Sequence, residues 1–407
     1  MVIIGLFLLP LQAKAEEPVY LAIQDVSPEF LEKTAPNLSE TLQKPKKGNE
    51  IYNEGENFIP RLKTKIENSE TDGKIPLEAE VEYDVLFDRT PIFSEYTKME
   101  FEKGPIETLD PSFVYQGQMN FDFLHSGYST KYDNPVAELV LKGKLRNKEV
   151  YYNLTFDMLS YDKYNFFQTF FKDYSLIFET IPNNKISVGR FRTPIGVEGG
   201  MSSYTLPFIA RSQISRNFGS VRGMGVKVIG DYKYVDYNIG VTSTDRQYND
   251  FFPGLEFNGW VNFMPLENTD GRYGVLKVGG GLNAGHKDFD YNVVGAYLSY
   301  KFRKFALESE YAISNGSNGN EGLTRNKAQG VYTTLSYNIT KKLQVLARYD
   351  YFDANRKMSG KNITEYTAGI NYFIKGSALK LMLNFTHRKP DDEKASNRIM
   401  VGTQVIF

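Results

Sequence analysis

The chain has 407 residues, of which 24% are charged and 41% hydrophobic, a composition that supports a folded structure and excludes a disordered chain. Its formal net charge of -1 gives no argument for binding nucleic acid or an anionic membrane surface. The chain lacks cysteine, which excludes disulfides and thiolate chemistry, but it holds 28 tyrosines, 29 phenylalanines and 34 glycines.

The first fifteen residues have the pattern of a signal peptide. An apolar run extends from Val2 to Leu11, and Ala13 and Ala15 form the small-x-small pattern of a signal peptidase site. We therefore expect an exported chain that is mature from Glu16, with a buried N-terminal helix as the alternative. Elsewhere the sequence has no apolar run near the ~18 to 20 residues of a membrane-spanning helix, so a membrane crossing would need strands.

Residues 16–112 are predicted to form a polar periplasmic extension that is partly disordered, because proline, asparagine, lysine and glutamate occur throughout. Within it, residues 77–87 alternate sharply between apolar and acidic side chains. We favour a strand of a small periplasmic element here. The alternative is one of two extra barrel strands, which would give about 18.

From residue 113 to residue 407 the chain repeats segments of ~10 residues in which apolar and polar side chains alternate. This pattern is typical of a lipid-facing band against a wet interior, although a soluble sandwich alternates in the same way. It predicts strands near 114–126, 136–146, 149–160, 174–181, 185–194, 223–232, 235–244, 255–266, 274–284, 291–301, 305–315, 328–339, 343–354, 363–374, 379–389 and 397–407.

The lengths of the connections favour a membrane barrel. Short connections such as 146–148 and 182–184 alternate with long ones such as 160–173 and 195–222. Periplasmic turns and longer extracellular loops are arranged this way in outer-membrane barrels. The fold class is therefore all-β, a transmembrane antiparallel barrel of about sixteen strands. The last strand ends at Phe407, which resembles the C-terminal assembly signal of Gram-negative outer-membrane barrels.

The stretch GRFRTPIGVEGGMSS, residues 189–203, places two arginines on one predicted strand. Arg190 and Arg192 share a face with aliphatic residues, but an arginine on the lipid face costs about 2 to 4 kcal/mol near the midplane, so we expect both to face the lumen. Residues 195–222 form the longest connection and suit a loop folded inward against the wall. This loop carries Arg211, Arg216 and Arg222 and a single acid, Glu198.

At these residues the sequence resembles the phosphate-selective porin O and P family. The resemblance lies in GRFRTPIGVE, then SSYTLPFIARS, then a polar stretch leading to RGMGVKV. It is strongest over residues 185–232, general from about 113 to 407, and absent from the first hundred residues. It implies a trimer of barrels, each with its own channel, in which an inward loop forms a constriction and basic and serine side chains replace part of an anion's hydration shell.

The resemblance also implies roles for individual residues, according to their positions in the matched stretches. Ser202 and Ser203 match the family's serine pair in the constriction loop, and Arg190 and Arg192 sit where the strand's inward basic residues are found. The family's phosphate site also uses a lysine in that loop, whereas residues 195–222 contain none. This departure argues against tight phosphate selectivity.

The predicted lumen-facing side chains balance in charge. The basic candidates are Lys142, Lys144, Arg190, Arg192, Lys227, Lys277, Arg348, Lys380 and Arg398, and the acidic ones are Glu138, Asp157, Glu179, Asp236, Glu256, Glu308, Glu310, Asp350 and Glu365. The loop, with three arginines against one glutamate, is then the part with a net positive charge. Alternatively, each arginine pairs with a wall carboxylate and only holds the loop in place.

Enzymatic motifs are weak in this sequence. His125, His286 and His387 are scattered, no G-x-S-x-G occurs, and the glycine-rich residues 274–285 lack the GK[ST] of a phosphate-binding loop. We expect no catalysis, no cofactor and no metal.

The predicted function is an outer-membrane porin for passive diffusion of small hydrophilic solutes, with anions such as phosphate preferred. The alternative is a structural or adhesive outer-membrane barrel with a plugged lumen. The expected partners are outer-membrane lipid, the solute and further copies in a homotrimer, but not nucleic acid. The residues expected to contact solute are Arg190, Arg192, Ser202, Ser203, Arg211, Arg216, Arg222 and Lys227.

Overall fold

The computed structural model describes residues 98–132, 136–146, 148–159, 169–246, 250, 252–269, 271–320 and 322–407. The predicted signal peptide, most of the predicted extension and the alternating residues 77–87 lie outside the described residues.

Sixteen strands form one closed antiparallel barrel. They are β1 (Thr108–Leu124), β2 (Val136–Lys144), β3 (Val150–Asp157), β4 (Phe171–Phe178), β5 (Asn184–Arg192), β6 (Arg222–Asp231), β7 (Val235–Ser243), β8 (Leu255–Phe263), β9 (Val275–His286), β10 (Asp290–Phe302), β11 (Phe305–Asn315), β12 (Gln329–Asn338), β13 (Leu343–Asp353), β14 (Asn362–Lys375), β15 (Leu379–Pro390) and β16 (Ser396–Ile406). Each strand pairs with its neighbours in the chain, and β1 pairs with β16 from Val114 to Phe123. This closure leaves the sixteen barrel strands without a free edge, and among the described strands the short strands Met99–Glu100 and Gly127–Tyr132 pair with β1 alone.

The prediction of sixteen strands is confirmed, and the alternative of eighteen is wrong because β1 and β16 pair directly with each other. The observed strands lie within three residues of the predicted ones at both ends, except that β1 begins at Thr108 rather than near 114. Its early start follows from pairing with β2, in which Asp110 lies opposite Lys142.

Side chains alternate between the two faces of the wall as the sequence pattern predicts. On β15, Leu381, Leu383 and Phe385 are 44 to 45% exposed on the outside, whereas Met382 and Asn384 between them are buried inside. Outward apolar side chains of this kind recur on the other strands and form the outer band of the barrel. Separately, none of the helices in the described residues is long and apolar enough to cross a membrane.

The two ends of the barrel differ in their connections. We call the end with the β2–β3, β4–β5, β6–β7 and later alternate connections the turn end, and the opposite end the loop end. The turn end has one long connection, residues 264–274, and the loop end has two short ones, residues 287–289 and 391–395. At the loop end, the short strands Ser317–Gly319 and Gly322–Thr324 form a separate hairpin.

The connection between β5 and β6, residues 193–221, contains two short helices. Helix α1 (Val197–Gly200) and helix α2 (Gln213–Asn217) are separated by a 3₁₀ turn at Ser203–Thr205. Ser212 caps α2, because its side chain accepts a hydrogen bond from the Ser215 N–H. We call residues 193–221 the inner loop, for reasons given in the next section.

A charge placed on the outer band tests which face contacts lipid. Leu383→Arg, at the middle of β15, should lower the free energy of unfolding by about 2 to 4 kcal/mol in phospholipid vesicles, because the guanidinium then lies near the bilayer midplane. Leu379→Arg, on the same face at the turn end, is the matched control and should cost about 0 to 1 kcal/mol. Denaturant titrations of both variants measure the difference. Equal costs would contradict the assignment of the band.

Candidate functional site

The inner loop lies inside the barrel and is held there by carboxylates of the wall. The Val197 N–H donates to both carboxylate oxygens of Glu310 on β11, at 3.2 Å each, and the Gln213 N–H donates to Asp350 Oδ2 on β13 at 2.8 Å. Both acceptors are almost completely buried. The first N–H groups of a helix lack partners within the helix, so a carboxylate at each helix start satisfies them.

Further wall side chains bind the backbone of the inner loop between its two helices. Asn384 Oδ1 on β15 accepts from the Ile209 N–H at 2.9 Å, and Lys380 Nζ donates to the Leu206 carbonyl at 3.1 Å. From other strands come the bonds of Asn371 Nδ2 to the Pro207 carbonyl, Gln404 Nε2 to the Tyr204 carbonyl and Gln116 Nε2 to the Ser203 carbonyl. The loop is therefore bound along the wall from β11 through β16 to β1.

Apolar contacts fix the same loop against the wall. The largest buried cluster joins four residues of the inner loop to β10–β13 and consists of Ile195, Ile214, Phe218, Val221, Val293, Ala312, Ala328, Tyr332 and Phe352. A second cluster packs Val197 against Trp260 and Tyr297, with Met201 beside them. Trp260 is the single tryptophan of the chain, so it reports on this contact.

The single acid of the inner loop, Glu198, is used within this arrangement. Its Oε2 accepts from the Ser212 N–H at 2.6 Å, and its Oε1 lies 3.4 Å from Arg348 Nη1. Arg348 also donates to the Ala210 carbonyl at 3.1 Å and lies over the Phe208 ring at 4.7 Å. Glu198 and Arg348 thus tie the two helices of the loop to β13.

The predicted arginines have different partners. Arg211 donates to the carbonyl oxygens of Glu198 and Met201, and burial lowers the pKa of Arg211 to about 10, so the guanidinium stays charged at neutral pH. Arg216 pairs with Glu365 on β14. These two side chains hold the loop as well as supplying charge.

Arg222 and Arg192 lie together where β5 and β6 leave the wall. Arg222 makes a two-point bond to Asp173 on β4, with Nε to Oδ1 at 2.8 Å and Nη2 to Oδ2 at 3.1 Å. Arg192 lies opposite Arg222 and donates from Nη1 to Ser220 Oγ at 3.1 Å. Pairing with wall carboxylates, the alternative left open by the sequence, is therefore found for Arg216 and Arg222.

The remaining predicted residues are Arg190, Lys227 and the two serines, and of these Lys227 interacts electrostatically with Asp173. Arg190 is 8% exposed, and Lys227 is 2% exposed with its Nζ 4.5 Å from the centre of the Phe191 ring. Ser202 and Ser203 are half-buried at the 3₁₀ turn. Within the described part of the chain, neither serine hydroxyl has a hydrogen-bond partner.

Charged side chains from the inner loop and from the five wall strands β2–β6 form one group, which we call the eyelet cluster. Its members are Arg192, Arg211, Arg222, Lys172, Glu138, Asp157 and Asp173. Lys172 Nζ lies 2.9 Å from Glu138 Oε1 and 2.7 Å from Asp157 Oδ2. The three arginines interact electrostatically with one another and with Glu138, so four basic side chains face three acidic ones. Glu198 also acts on Arg211 and Lys227 on Asp173, and these two opposite charges leave the surplus of one positive charge unchanged.

Sequence reasoning missed Lys172 because it precedes the predicted strand and because the pairing of β3 with β4 shifts register between Thr155 and Phe156. It also missed a second set of contacts at the loop end. Arg246 Nη2 lies 2.6 Å from both oxygens of Glu256 and donates to the Asn318 carbonyl at 3.0 Å.

The hairpin that contains Asn318 folds inward over α2. A Cβ atom at Gly319 would lie 1.9 Å from the Asn217 carbonyl oxygen at the end of that helix, so only glycine fits there. Asn318 also donates to the Thr244 carbonyl at 2.9 Å. The loop end is therefore covered on the side of β8–β12, which no sequence pattern indicated.

The histidines lie at separate positions. His286 Nδ1, at the end of β9, is 2.7 Å from Asp290 Oδ1, and His387 Nδ1, on β15, is 2.8 Å from Asn397 Oδ1. Among the described residues, no group of three or more histidine, aspartate and glutamate side chains is placed to hold a metal ion.

Residues 275–407 match the family model described as phosphate-selective porin O and P. This finding confirms the resemblance drawn from the sequence, although residues 185–232, where the resemblance was strongest, lie outside the matched part. A comparison with curated proteins gives no match.

Solved structures share the fold. An anion-selective porin from Comamonas acidovorans has a TM-score of 0.54 at 13% identity and covers 74% of this chain and 99% of its own. A loop-deletion mutant of OmpT, an outer-membrane protein of Vibrio cholerae, has a TM-score of 0.54 at 11% identity with the same coverage. OmpF of Salmonella typhi, in complex with daunomycin, has a TM-score of 0.53 at 12% identity and covers 76% of this chain and all of its own. The barrel has the fold of outer-membrane porins, and its apolar outer band fits the hydrocarbon of a lipid bilayer.

The anchoring of the inner loop can be tested through Trp260. Glu310→Ala removes the acceptor of the Val197 N–H and leaves that buried donor without a partner, at a cost of about 1 to 3 kcal/mol. We expect α1 to detach from Trp260 and the tryptophan emission to shift to longer wavelength. Glu308→Ala is the control, because Glu308 is the neighbouring residue on the same face of β11. This change should leave the emission unchanged. An unchanged spectrum in Glu310→Ala would show that the apolar contacts alone hold the loop.

Proposed function

We propose that this barrel is a porin through which small hydrophilic solutes diffuse passively, with a preference for anions. The observation that carries the proposal is the eyelet cluster. The inner loop is bound to β11–β16 and β1, while the acidic members of the cluster lie on β2, β3 and β4, so we infer that solute passes between Arg211 and these three strands. The net charge of the cluster is positive, which favours anions in a narrow passage.

The chemistry of the lining supports an oxyanion as the preferred solute. Guanidinium groups bind oxyanions through parallel hydrogen bonds, and the hydroxyls of Ser202 and Ser203 are available to replace water around the solute. The inner loop contains no lysine, but Lys172 brings an ammonium group to the eyelet cluster from β4. Because each cation also faces an acid, binding stays weak enough for release.

We further propose a homotrimer with the turn end in the periplasm and the N-terminal extension on that side. OmpT of Vibrio cholerae, at a TM-score of 0.51 and 13% identity, is described in a trimer form. Catalysis is not part of the proposal. A barrel with a closed lumen is the competing function, because two segments, the inner loop and the hairpin at Ser317–Thr324, pack on the inside of the wall.

Ion selectivity tests the role of the eyelet cluster. Arg192→Gln and Arg211→Gln should each lower the chloride-to-potassium permeability ratio roughly twofold or more, because each removes a positive charge at the passage. Glu138→Gln should change the ratio in the opposite direction. The measurement is the reversal potential of single channels in planar bilayers under a KCl gradient.

Arg325→Gln, an exposed position in the loop-end connection between β11 and β12, is the matched control and should leave the reversal potential unchanged. Cation preference in the unaltered protein, or shifts of the same sign in Arg211→Gln and Glu138→Gln, would contradict the proposed path. The absence of any conductance would instead support the closed barrel.

Phosphate tests the serine pair separately. Titration of phosphate into the bilayer chamber should reduce the chloride current, and the double change Ser202→Ala with Ser203→Ala should weaken this block about fivefold, the effect of losing roughly 1 kcal/mol of hydrogen bonding. Ser215→Ala, a buried position of the same loop, is the control. If phosphate does not block the unaltered channel, the preference is for anions in general.

A further inference from the structure

The two ends of the inner loop meet at a narrow crossing. The Ser220 N–H donates to the Gly199 carbonyl oxygen at 3.2 Å. A Cβ atom at Gly199 would lie 2.9 Å from the Gly219 Cα atom, and a Cβ atom at Gly219 would lie 2.7 Å from the Gly199 Cα atom, so only glycine allows this approach. We call residues 199, 219 and 220 the loop neck. Contact between the two backbones at the loop neck fixes the place of Ser220.

Ser220 has a backbone conformation that serine rarely adopts. Its φ is 62°, in the left-handed region that glycine enters without strain. Residues in unfavourable backbone conformations cluster at functional sites, where the surrounding structure holds them. The Ser220 hydroxyl oxygen accepts a hydrogen bond from Arg192 Nη1 at 3.1 Å. The side chain of this strained residue therefore reaches an arginine of the eyelet cluster.

Arg192 is held differently from the other two arginines of the eyelet cluster. Arg222 is bonded at two points to the carboxylate of Asp173, and Arg211 is bonded to two carbonyl oxygens of the inner loop. Arg192 instead donates to the neutral hydroxyl of Ser220. This bond uses one of the five N–H groups of the guanidinium and does not neutralise its charge. The charge and the other donors of Arg192 are therefore available to a solute.

Two acids attract the Arg192 guanidinium in another direction. Asp173 and Glu138 attract it electrostatically, whereas the other two eyelet arginines repel it. Arg192 lies directly opposite Arg222 in the pairing of β5 with β6. Without the Ser220 hydroxyl, these forces favour a rotamer in which the Arg192 side chain turns away from the arginines and onto an acid. An ion pair would then neutralise its charge.

We propose that Ser220 is the positioning residue for Arg192, whose guanidinium its hydroxyl holds in the passage, and that it thereby sets the strength of the anion preference. Ser220 acts through Arg192 and does not need to contact the solute. This role in selectivity rests on the proposed function, whereas the position of the guanidinium can be measured without an open channel. It also explains why a serine and not a glycine occupies position 220.

Three substitutions at position 220 separate the hydroxyl from the backbone conformation. Ser220→Gly removes the hydroxyl and relieves the strain, so it should keep or raise the stability of the barrel while lowering the chloride-to-potassium permeability ratio roughly twofold, as in Arg192→Gln. Ser220→Ala should lower the ratio equally but keep the strain. Ser220→Asn should restore most of the ratio, because asparagine tolerates a positive φ and its side-chain oxygen accepts from a guanidinium. A purely structural role would make the ratio follow stability across the three variants.

A double change tests whether Ser220 acts through Arg192. In the Arg192→Gln background, Ser220→Gly should cause no further change in the permeability ratio, since residues that act as one unit are not additive. Ser215→Ala is the matched control. It removes another hydroxyl of the inner loop, one without a hydrogen-bond partner in the described part of the chain, and should leave the ratio unchanged. A second, independent loss in the double variant would contradict the proposal.

Chemical modification of arginine measures the position of the guanidinium without conductance. Phenylglyoxal reacts with guanidinium groups that are accessible and not held in ion pairs, and mass spectrometry of the digested protein gives the rate at each arginine. Arg192 should react severalfold faster than Arg222, which is bonded to Asp173. Ser220→Gly should slow the reaction of Arg192 severalfold and leave that of Arg222 unchanged. Circular dichroism checks that the variant keeps its barrel.

The two readouts fail separately. If Arg192 reacts at the same rate in Ser220→Gly as in the unaltered protein, the positioning role is overturned whatever the conductance. The same holds if Ser220→Asn behaves like Ser220→Ala in the permeability ratio. If the reactivity of Arg192 falls but the barrel does not conduct, Ser220 still positions Arg192 and the proposed channel is what fails.

Discussion

The arrangement of this barrel depends on carboxylates of the wall that accept backbone N–H groups of the inner loop. Glu310 and Asp350 each meet the start of a short helix, where N–H groups have no partner within the helix. Backbone N–H groups of a loop packed against the inside of the wall need hydrogen-bond partners in the protein. Glu310 and Asp350 are such partners at the starts of α1 and α2. Removing one of them would leave a buried N–H group without a partner, a cost larger than the bond itself contributes.

Because some wall charges bind the inner loop, only the other charged side chains are available to interact with solute. The sequence analysis counted nine basic and nine acidic side chains on the inner face of the wall. Five of these side chains bind the inner loop: Arg348, Lys380, Glu310, Asp350 and Glu365. They are structural, so a count over the whole wall says little about selectivity. The eyelet cluster is different, because it gathers charges from both the loop and the opposite wall, and its sign follows from the three arginines together with Lys172.

The strands could be predicted because each one faces lipid on one side and the wet interior on the other, so apolar and polar side chains alternate along it. Residues 379–386 show this alternation. The inward loop could also be predicted, from its length and glycines. The partners of its charged residues could not, since Arg216 meets Glu365 and Arg222 meets Asp173 only through the register of distant strands. Lys172 was missed because a register shift, which has no simple signature in sequence, alters the alternation at the start of β4.

The described interior divides into two unequal parts. On the side of β8–β13, apolar clusters around Ile214 and Trp260 fill the space between loop and wall, and the hairpin at Asn318 covers α2 from above. On the side of β2–β4, charged and half-buried groups face one another instead. Close packing makes the first part intolerant of changes in volume. In the second part, Glu138 and Asp173 are buried, so a substitution that breaks the Asp173–Arg222 pair is costly. Selectivity can therefore vary at the eyelet cluster through substitutions that keep this pair, while the packed side keeps the loop in place.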